Sequence, residues 1–129
     1  MVKILLADDH ALVREGLRHV LCRLDSDAVI VEAADCDEAL QIAERHMDFD
    51  VALLDVAMPG MDGLEGIGRL RQRLPSTPIV MLSASEDASL VREALQRGAQ
   101  GFIPKSSTGN VMLSAVRLIF SGGVYLPPS

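Results

Sequence analysis

Short apolar runs alternate along this chain with longer stretches in which apolar residues recur every three or four positions. The first pattern predicts β-strands, and the second predicts helices with one buried face. The run Val51–Asp55 has four apolar residues followed by a carboxylate. A run without polar alternation is typical of a strand buried on both faces of a parallel sheet. The predicted strands are Val2–Ala7, Ala28–Ala33, Val51–Asp55, Pro78–Ser83 and Gly101–Pro104.

Helical periodicity fills the intervals between those runs. The predicted helices are one that begins at His10 with an apolar stripe reaching Leu24, then Asp37–His46, Leu64–Leu74, Asp87–Arg97, and a last one from Ser107 or Thr108 to about Ser121. Glycine commonly ends a helix, so Gly98 is predicted to stop the fourth one. In the third helix, Arg69, Arg71 and Arg73 are expected to face solvent.

This alternation of strands and helices predicts parallel strands joined by right-handed crossovers, because each helix carries the chain back before the next strand. An eight-fold barrel needs about 250 residues, whereas this chain has 129. The predicted fold class is therefore α/β, a flavodoxin-like (βα)5 three-layer sandwich with a parallel sheet of strand order 2-1-3-4-5.

Composition narrows the class of protein. Hydrophobic residues make up 49% of the chain, which favours a compact domain, and the net charge of −6 disfavours direct binding of nucleic acid. Cys22 and Cys36 lack the spacing of metal ligands, which is typical of reduced cysteines in a cytoplasmic protein. The first apolar run, Ile4–Ala7, is too short for a signal peptide or a membrane span. We therefore expect a cytoplasmic protein without a membrane segment.

Polar residues end four of the predicted strands. Asp8 and Asp9 follow the first strand, Asp55 ends the third, Ser83 ends the fourth, and Lys105 follows the fifth. In the order 2-1-3-4-5 these strands are neighbours, so their side chains are expected to meet at one edge of the sheet. The first turn carries acids in place of the glycines of a dinucleotide-binding loop. Clustered carboxylates attract a hard divalent cation such as Mg²⁺.

This set of residues suggests phosphoryl transfer onto Asp55, with Mg²⁺ and Lys105 offsetting the charge of the transferring group. Each residue alone also fits an ordinary structural role. Asp9 could cap the first helix, Ser83 could form a local turn, and Lys105 could be a solvated surface residue. His10 is interpreted as the start of the first helix.

A family resemblance follows from the order of these motifs. The series Asp8-Asp9, Asp55 with Met58-Pro59-Gly60-Met61-Asp62-Gly63, Ser83-Ala84 and Phe102-Ile103-Pro104-Lys105 resembles the receiver domain of two-component response regulators over nearly the whole chain. The resemblance implies that Asp55 takes a phosphoryl group from a phosphohistidine on a sensor histidine kinase. It also implies that Asp9, Asp55 and the backbone carbonyl of Ala57 ligate Mg²⁺, or Mn²⁺ in its place, with Asp8 acting largely through water.

The same resemblance assigns the output of the site. Lys105 and Ser83 would act in the phosphoryl transfer, Ser83 would be the switch hydroxyl, and Phe102 would be the aromatic residue that turns inward behind it. The fourth helix, fifth strand and fifth helix would form the surface that changes. Such a protein is not a conventional enzyme, since it promotes only its own Mg²⁺-dependent phosphorylation and dephosphorylation.

The end of the chain resembles the start of the linker in NarL/FixJ-type regulators, the LuxR-like class whose receiver precedes a helix-turn-helix domain. We expect residues 1–122 to form the receiver and residues 123–129 to begin this linker, with the effector domain absent. The resemblance then implies transcription regulation through that missing domain and allows a homodimer on phosphorylation.

Three alternatives stay open at this point. A pseudo-receiver would keep the fold as a protein-interaction module without being phosphorylated. A metal-dependent phosphatase with an aspartyl nucleophile usually has a second Asp two residues after the first, where this chain has Ala57. A flavin- or nucleotide-binding domain of the same fold is disfavoured by the acids in the first turn.

Overall fold

Five strands and five helices alternate in the computed structural model, which describes residues 2–46, 48–58, 63–84 and 87–126. The strands are β1 (Lys3–Ala7), β2 (Val29–Ala33), β3 (Val51–Asp55), β4 (Ile79–Ser83) and β5 (Gly101–Pro104). The helices are α1 (Ala11–Leu21), α2 (Cys36–Arg45), α3 (Gly63–Arg73), α4 (Ala88–Gln96) and α5 (Gly109–Phe120). Each predicted element is present, and its bounds agree with the prediction to within a few residues.

The strands form one parallel sheet of order β2-β1-β3-β4-β5, as predicted. Alternate side chains of each central strand point to opposite faces. Leu54 packs in a core with α2, α3 and α4, while Leu53 packs in a second core with α1 and α5. The sheet is therefore the middle of three layers, and both of its faces are buried, which explains the unbroken apolar runs.

Side-chain caps begin three of the helices. Asp35 accepts a hydrogen bond from the Glu38 amide at the start of α2, and Asp87 accepts one from the Ser89 amide at the start of α4. Of the two residues predicted to begin the last helix, Thr108 is the one that caps α5, because its side chain accepts from the Val111 amide. These caps satisfy amides that have no partner within the helix.

The prediction that Arg71 faces solvent was wrong. Its guanidinium is partly buried beyond the end of α3. Nη1 donates to the carbonyl oxygen of Thr77 at 2.7 Å, and Nη2 donates to that of Gly98 at 2.7 Å. Gly98 follows α4 with φ of +109°, a conformation that favours glycine, and ends that helix as predicted. Arg71 therefore joins the turns that follow α3 and α4.

The segment after α5 lies against the edge of the sheet. The amide of Tyr125 donates to the Gln100 carbonyl at 3.3 Å, and the amide of Phe102 donates to the Tyr125 carbonyl at 3.0 Å. Tyr125 thus forms an isolated bridge beside β5, the edge strand. Residues 127–129 of the predicted linker lie outside the described part of the chain, and the proposed boundary after residue 122 stays a prediction.

The described helices are also short. Across residues 2–46, 48–58, 63–84 and 87–126, none of them has the length and apolar character needed to cross a membrane.

Candidate functional site

The carboxyl ends of four neighbouring strands bring the predicted polar residues together. Asp8 follows β1, Asp55 ends β3, and Ser83 ends β4, and all three side chains are buried. Lys105 follows β5, where its amide donates to the Ser83 carbonyl oxygen at 2.7 Å. The edge of the sheet therefore presents carboxylates, a hydroxyl and an ammonium to one another, as parallel pairing predicts.

The Lys105 ammonium lies between two buried carboxylates. Its Nζ is 3.0 Å from Asp8 Oδ2 and 2.9 Å from Asp55 Oδ2, and both carboxylates are fully shielded from solvent. Burial alone lowers the pKa of Lys105 and is the largest single effect, but the contacts with Asp55 and Asp8 together outweigh it. The net pKa of Lys105 is therefore raised, and the side chain stays cationic at neutral pH.

Backbone amides hold the other oxygen of each carboxylate. Asp55 Oδ1 accepts a hydrogen bond from the Ala57 amide at 3.1 Å, and Asp8 Oδ1 accepts one from the His10 amide at 2.8 Å. These bonds fix the rotation of both side chains, so that each Oδ2 points to Lys105. The Ala57 carbonyl was predicted as a metal ligand, and that role stays a prediction.

Three buried carboxylate oxygens at this site meet only the charged or ionisable side chains of Lys105 and His10 among the contacts found in the described residues. They are Asp8 Oδ2, Asp9 Oδ1 and Asp55 Oδ2. Lys105 pairs with the oxygens of Asp8 and Asp55, and His10 pairs with that of Asp9. Three carboxylates grouped around one lysine ammonium leave an excess of negative charge in a largely buried site, which is costly unless a further cation offsets it. Ligand atoms of Asp8, Asp9, His10 and Asp55 lie within 4.8 Å of one another. This donor set, rich in carboxylate oxygen, fits a hard divalent cation such as Mg²⁺.

His10 begins α1, as interpreted, but its side chain makes no capping hydrogen bond. Its Nδ1 instead lies 3.0 Å from Asp9 Oδ1 and 3.3 Å from Asp8 Oδ1. Sequence reasoning placed His10 beside the acids without including it in the cluster. The adjacency to Asp8-Asp9 was the available signal.

Phe102 lies on β5 opposite Met81 of the paired strand β4, and Ser83 lies two residues further along β4, opposite Pro104. The Phe102 ring is fully buried in the core beneath α2, α3 and α4, which is an inward orientation. The switching role of Ser83 and Phe102 stays a prediction. Within the motif that follows Asp55, residues 59–62 lie outside the described residues.

Sequence reasoning missed one residue that contacts this site from outside. Arg14, on the second turn of α1, donates from Nη1 to the carbonyl oxygen of Asp8 at 2.5 Å and from Nε to Glu32 Oε1 at 3.0 Å. The signal in the sequence was weak, because an arginine on an amphipathic helix is normally solvated.

Comparison with known proteins gives a consistent result. Residues 4–117 match the family model described as the response regulator receiver domain. The chain is 45% identical over 128 residues to the glycerol metabolism activator of Pseudomonas putida. The aligned region is 99% of this chain and 58% of that protein. It is 36% identical to the response regulator GacA of Pseudomonas syringae pv. syringae and covers 59% of that protein. The chain therefore spans less than two thirds of the length of these relatives.

Solved structures agree with the sequence relatives. A two-component response regulator of the LuxR family from Aurantimonas sp. SI85-9A1 superposes with a TM-score of 0.89 at 30% identity, over 99% of this chain and 91% of that one. A LuxR family DNA-binding response regulator from Silicibacter pomeroyi gives a TM-score of 0.87 at 35% identity, over 98% of both chains.

Proposed function

This chain belongs to the response regulator receiver domain family, and from that premise we propose that Asp55 accepts a phosphoryl group from a phosphohistidine of a sensor histidine kinase. The observation that carries the proposal is the position of Lys105, which lies 2.9 Å from a fully buried Asp55 carboxylate and also contacts Asp8. A buried carboxylate paired with an ammonium and flanked by further acids is suited to covalent phosphoryl chemistry.

In the proposed step, an Asp55 carboxylate oxygen attacks the phosphorus atom. A new O–P bond forms as the N–P bond to the donor histidine breaks, and the electron pair of that bond returns to the imidazole. The product is an acyl phosphate on Asp55. Lys105 stays protonated and offsets charge on the phosphoryl oxygens, which is the electrostatic part of the catalysis.

The proposed metal ligands are Asp9, Asp55 and the Ala57 carbonyl, with Asp8 acting largely through water. The close grouping of the three carboxylates around a single lysine ammonium supports this assignment. When bound, Mg²⁺ would neutralise negative charge shared between the carboxylates and the phosphoryl group. Mn²⁺ has similar ligand preferences and could replace it.

We further propose that phosphorylation changes the surface formed by α4, β5 and α5 through Ser83 and Phe102. A phosphoryl group adds strong hydrogen-bond acceptors, which can bias a loop between two states. The relatives are longer than this chain, and one similar solved structure is a LuxR family DNA-binding response regulator. The proposed output is therefore a helix-turn-helix effector domain that follows this chain and regulates transcription, as the resemblance to NarL/FixJ-type regulators implies. Contact with DNA is assigned to that domain, since this chain has a net charge of −6. A homodimer formed on phosphorylation is compatible with this scheme.

Lys105→Ala tests the role of the ammonium. The rate of labelling at saturating Mg²⁺ should fall by about a hundredfold, comparable to the loss of one donor to a developing anion. The affinity for Mg²⁺ should not weaken, because removing a cation beside Asp8 and Asp55 favours a second cation there. The measurements are phosphorylation by a small acyl phosphate followed over time, and calorimetric titration of Mg²⁺.

Lys105→Arg is the matched control, since it keeps the positive charge and should retain more of the labelling rate than the alanine variant. A large loss of Mg²⁺ affinity in Lys105→Ala, with labelling unchanged at saturating metal, would contradict the assigned role.

A further inference from the structure

Arg14 connects three elements near the proposed metal site. Its guanidinium donates from Nη1 to the Asp8 carbonyl oxygen at 2.5 Å, and from Nε to Glu32 Oε1 at 3.0 Å. The side chain is 18% exposed, so these contacts are shielded from solvent over most of their surface. Arg14 of α1 thus links the turn after β1 to the Glu32 side chain on β2.

The backbone of Asp8 is consequently fixed on both sides. Its amide donates to the Ala33 carbonyl at the end of β2, at 3.0 Å, and its carbonyl accepts from Arg14. The carboxylates of Asp8 and Asp9 repel each other and that of Asp55, so the acidic turn gains electrostatic relief by moving apart. A positive group bonded to the turn itself opposes that movement.

Glu32 sets the orientation of the guanidinium. It lies on β2 opposite Leu6 of β1, and its carboxylate contacts both Arg14 and Arg18. Arg14 donates to two acceptors from two different nitrogens. The planar guanidinium allows this arrangement, and a lysine ammonium does not reproduce it. Glu32 also balances the positive charge, so Arg14 is held in one pose.

From these contacts we propose that Arg14 is a positioning residue of the site. It fixes the Asp8–Asp9 peptide so that both carboxylates face Asp55 and the metal before the metal arrives. The inference rests on the proposed function, because the metal is the one that phosphorylation of Asp55 would use. The contacts of Arg14 found in the described residues are with the Asp8 carbonyl oxygen and with Glu32, and they include none of the proposed ligand atoms, so it acts through Asp8.

A purely structural role would tie α1 to β2 without affecting the metal. Arg18 provides the comparison, since it contacts the same Glu32 carboxylate from the next turn of α1. It makes no contact with Asp8 among the interactions found in the described residues. Arg14 and Arg18 therefore share the structural role and differ in the proposed one.

The experiment compares wild type with Arg14→Gln, Arg14→Lys and Arg18→Gln. Calorimetric titration gives the Kd for Mg²⁺, and labelling by acetyl phosphate is measured at limiting and saturating Mg²⁺. Arg14→Gln should raise the Kd by about tenfold, the lower end of the effect expected when a partner of a metal-binding residue is removed. Arg14→Lys should also bind Mg²⁺ more weakly than wild type, and Arg18→Gln should match wild type. Saturating Mg²⁺ should restore most of the labelling rate in both Arg14 variants.

The inference is overturned if Arg14→Gln and Arg18→Gln have the same Kd for Mg²⁺, or if Arg14→Lys binds Mg²⁺ as wild type does. If Arg14→Gln does not fold, the Kd of Arg14→Lys for Mg²⁺, compared with that of wild type, decides the question. Labelling of wild type separates this inference from the proposed function. An unlabelled wild type whose Arg14 variants still bind Mg²⁺ more weakly would refute phosphorylation and leave the positioning role standing.

Discussion

Asp55→Asn is expected to reduce phosphoryl labelling to background while leaving the protein folded. Asparagine keeps the size of the side chain and can still accept the hydrogen bond that the Ala57 amide gives to Asp55 Oδ1. It removes the anionic oxygen that would attack phosphorus, and it removes one of the two charges that hold Lys105. The measurements are intact-protein mass spectrometry after incubation with acetyl phosphate and Mg²⁺, and circular dichroism to establish folding.

Asp37→Asn is the matched control for this experiment. Asp37 is an exposed carboxylate in the first turn of α2, far from Asp55 in the sequence, and its replacement should leave labelling unchanged. Labelling retained in Asp55→Asn would show that another residue accepts the phosphoryl group.

Arg71→Ala is expected to lower the free energy of unfolding by about 3 kcal/mol, because several partly buried acceptors lose a charged donor at once. The guanidinium donates to four carbonyl oxygens and to the Gln100 side chain, and the carbonyls belong to Leu74, Pro75, Thr77 and Gly98. These carbonyls belong to the turns that follow α3 and α4, so the one side chain holds both turns. Burial lowers the pKa of Arg71, yet an arginine remains protonated at neutral pH.

Arg69→Ala on the same helix is the control. Its ion pair with Glu65 is exposed on both sides, at 53% and 51%, so its loss should change the free energy of unfolding by less than about 0.5 kcal/mol. Urea denaturation of both variants gives the comparison. Equal destabilisation by the two substitutions would contradict the structural role assigned to Arg71.

The fold was predictable because strands such as β3 and β5 are buried along their whole length. Val51–Asp55 and Gly101–Pro104 match β3 and β5 residue for residue, since glycine, proline or a charged residue stands beside each apolar run. The convergence of Asp8, Asp55 and Lys105 followed from topology alone. Parallel strands end at the same edge of the sheet, so strand order decides which side chains meet.

The contacts that the sequence did not predict are those that long side chains make with distant helices, strands or turns. Arg71 was expected to face solvent and Arg14 was not singled out from the sequence, yet both extend back to backbone carbonyls of other elements. A local pattern cannot indicate which distant carbonyl lies within reach of a guanidinium. The bridge of Tyr125 to β5 was missed for the same reason, because a linker composition says nothing about an open sheet edge nearby.

In the proposed function, the acidic edge of the sheet makes Asp55 a metal-dependent phosphoryl acceptor. Intact-protein mass spectrometry after incubation with acetyl phosphate, with Mg²⁺ and with a chelator instead, tests it most directly. We expect one phosphoryl adduct that forms only with the metal and is released by hydroxylamine, as an acyl phosphate should be. No adduct in a folded sample shown to bind Mg²⁺ would rule out phosphorylation of Asp55 and favour a receiver fold used only for protein interaction.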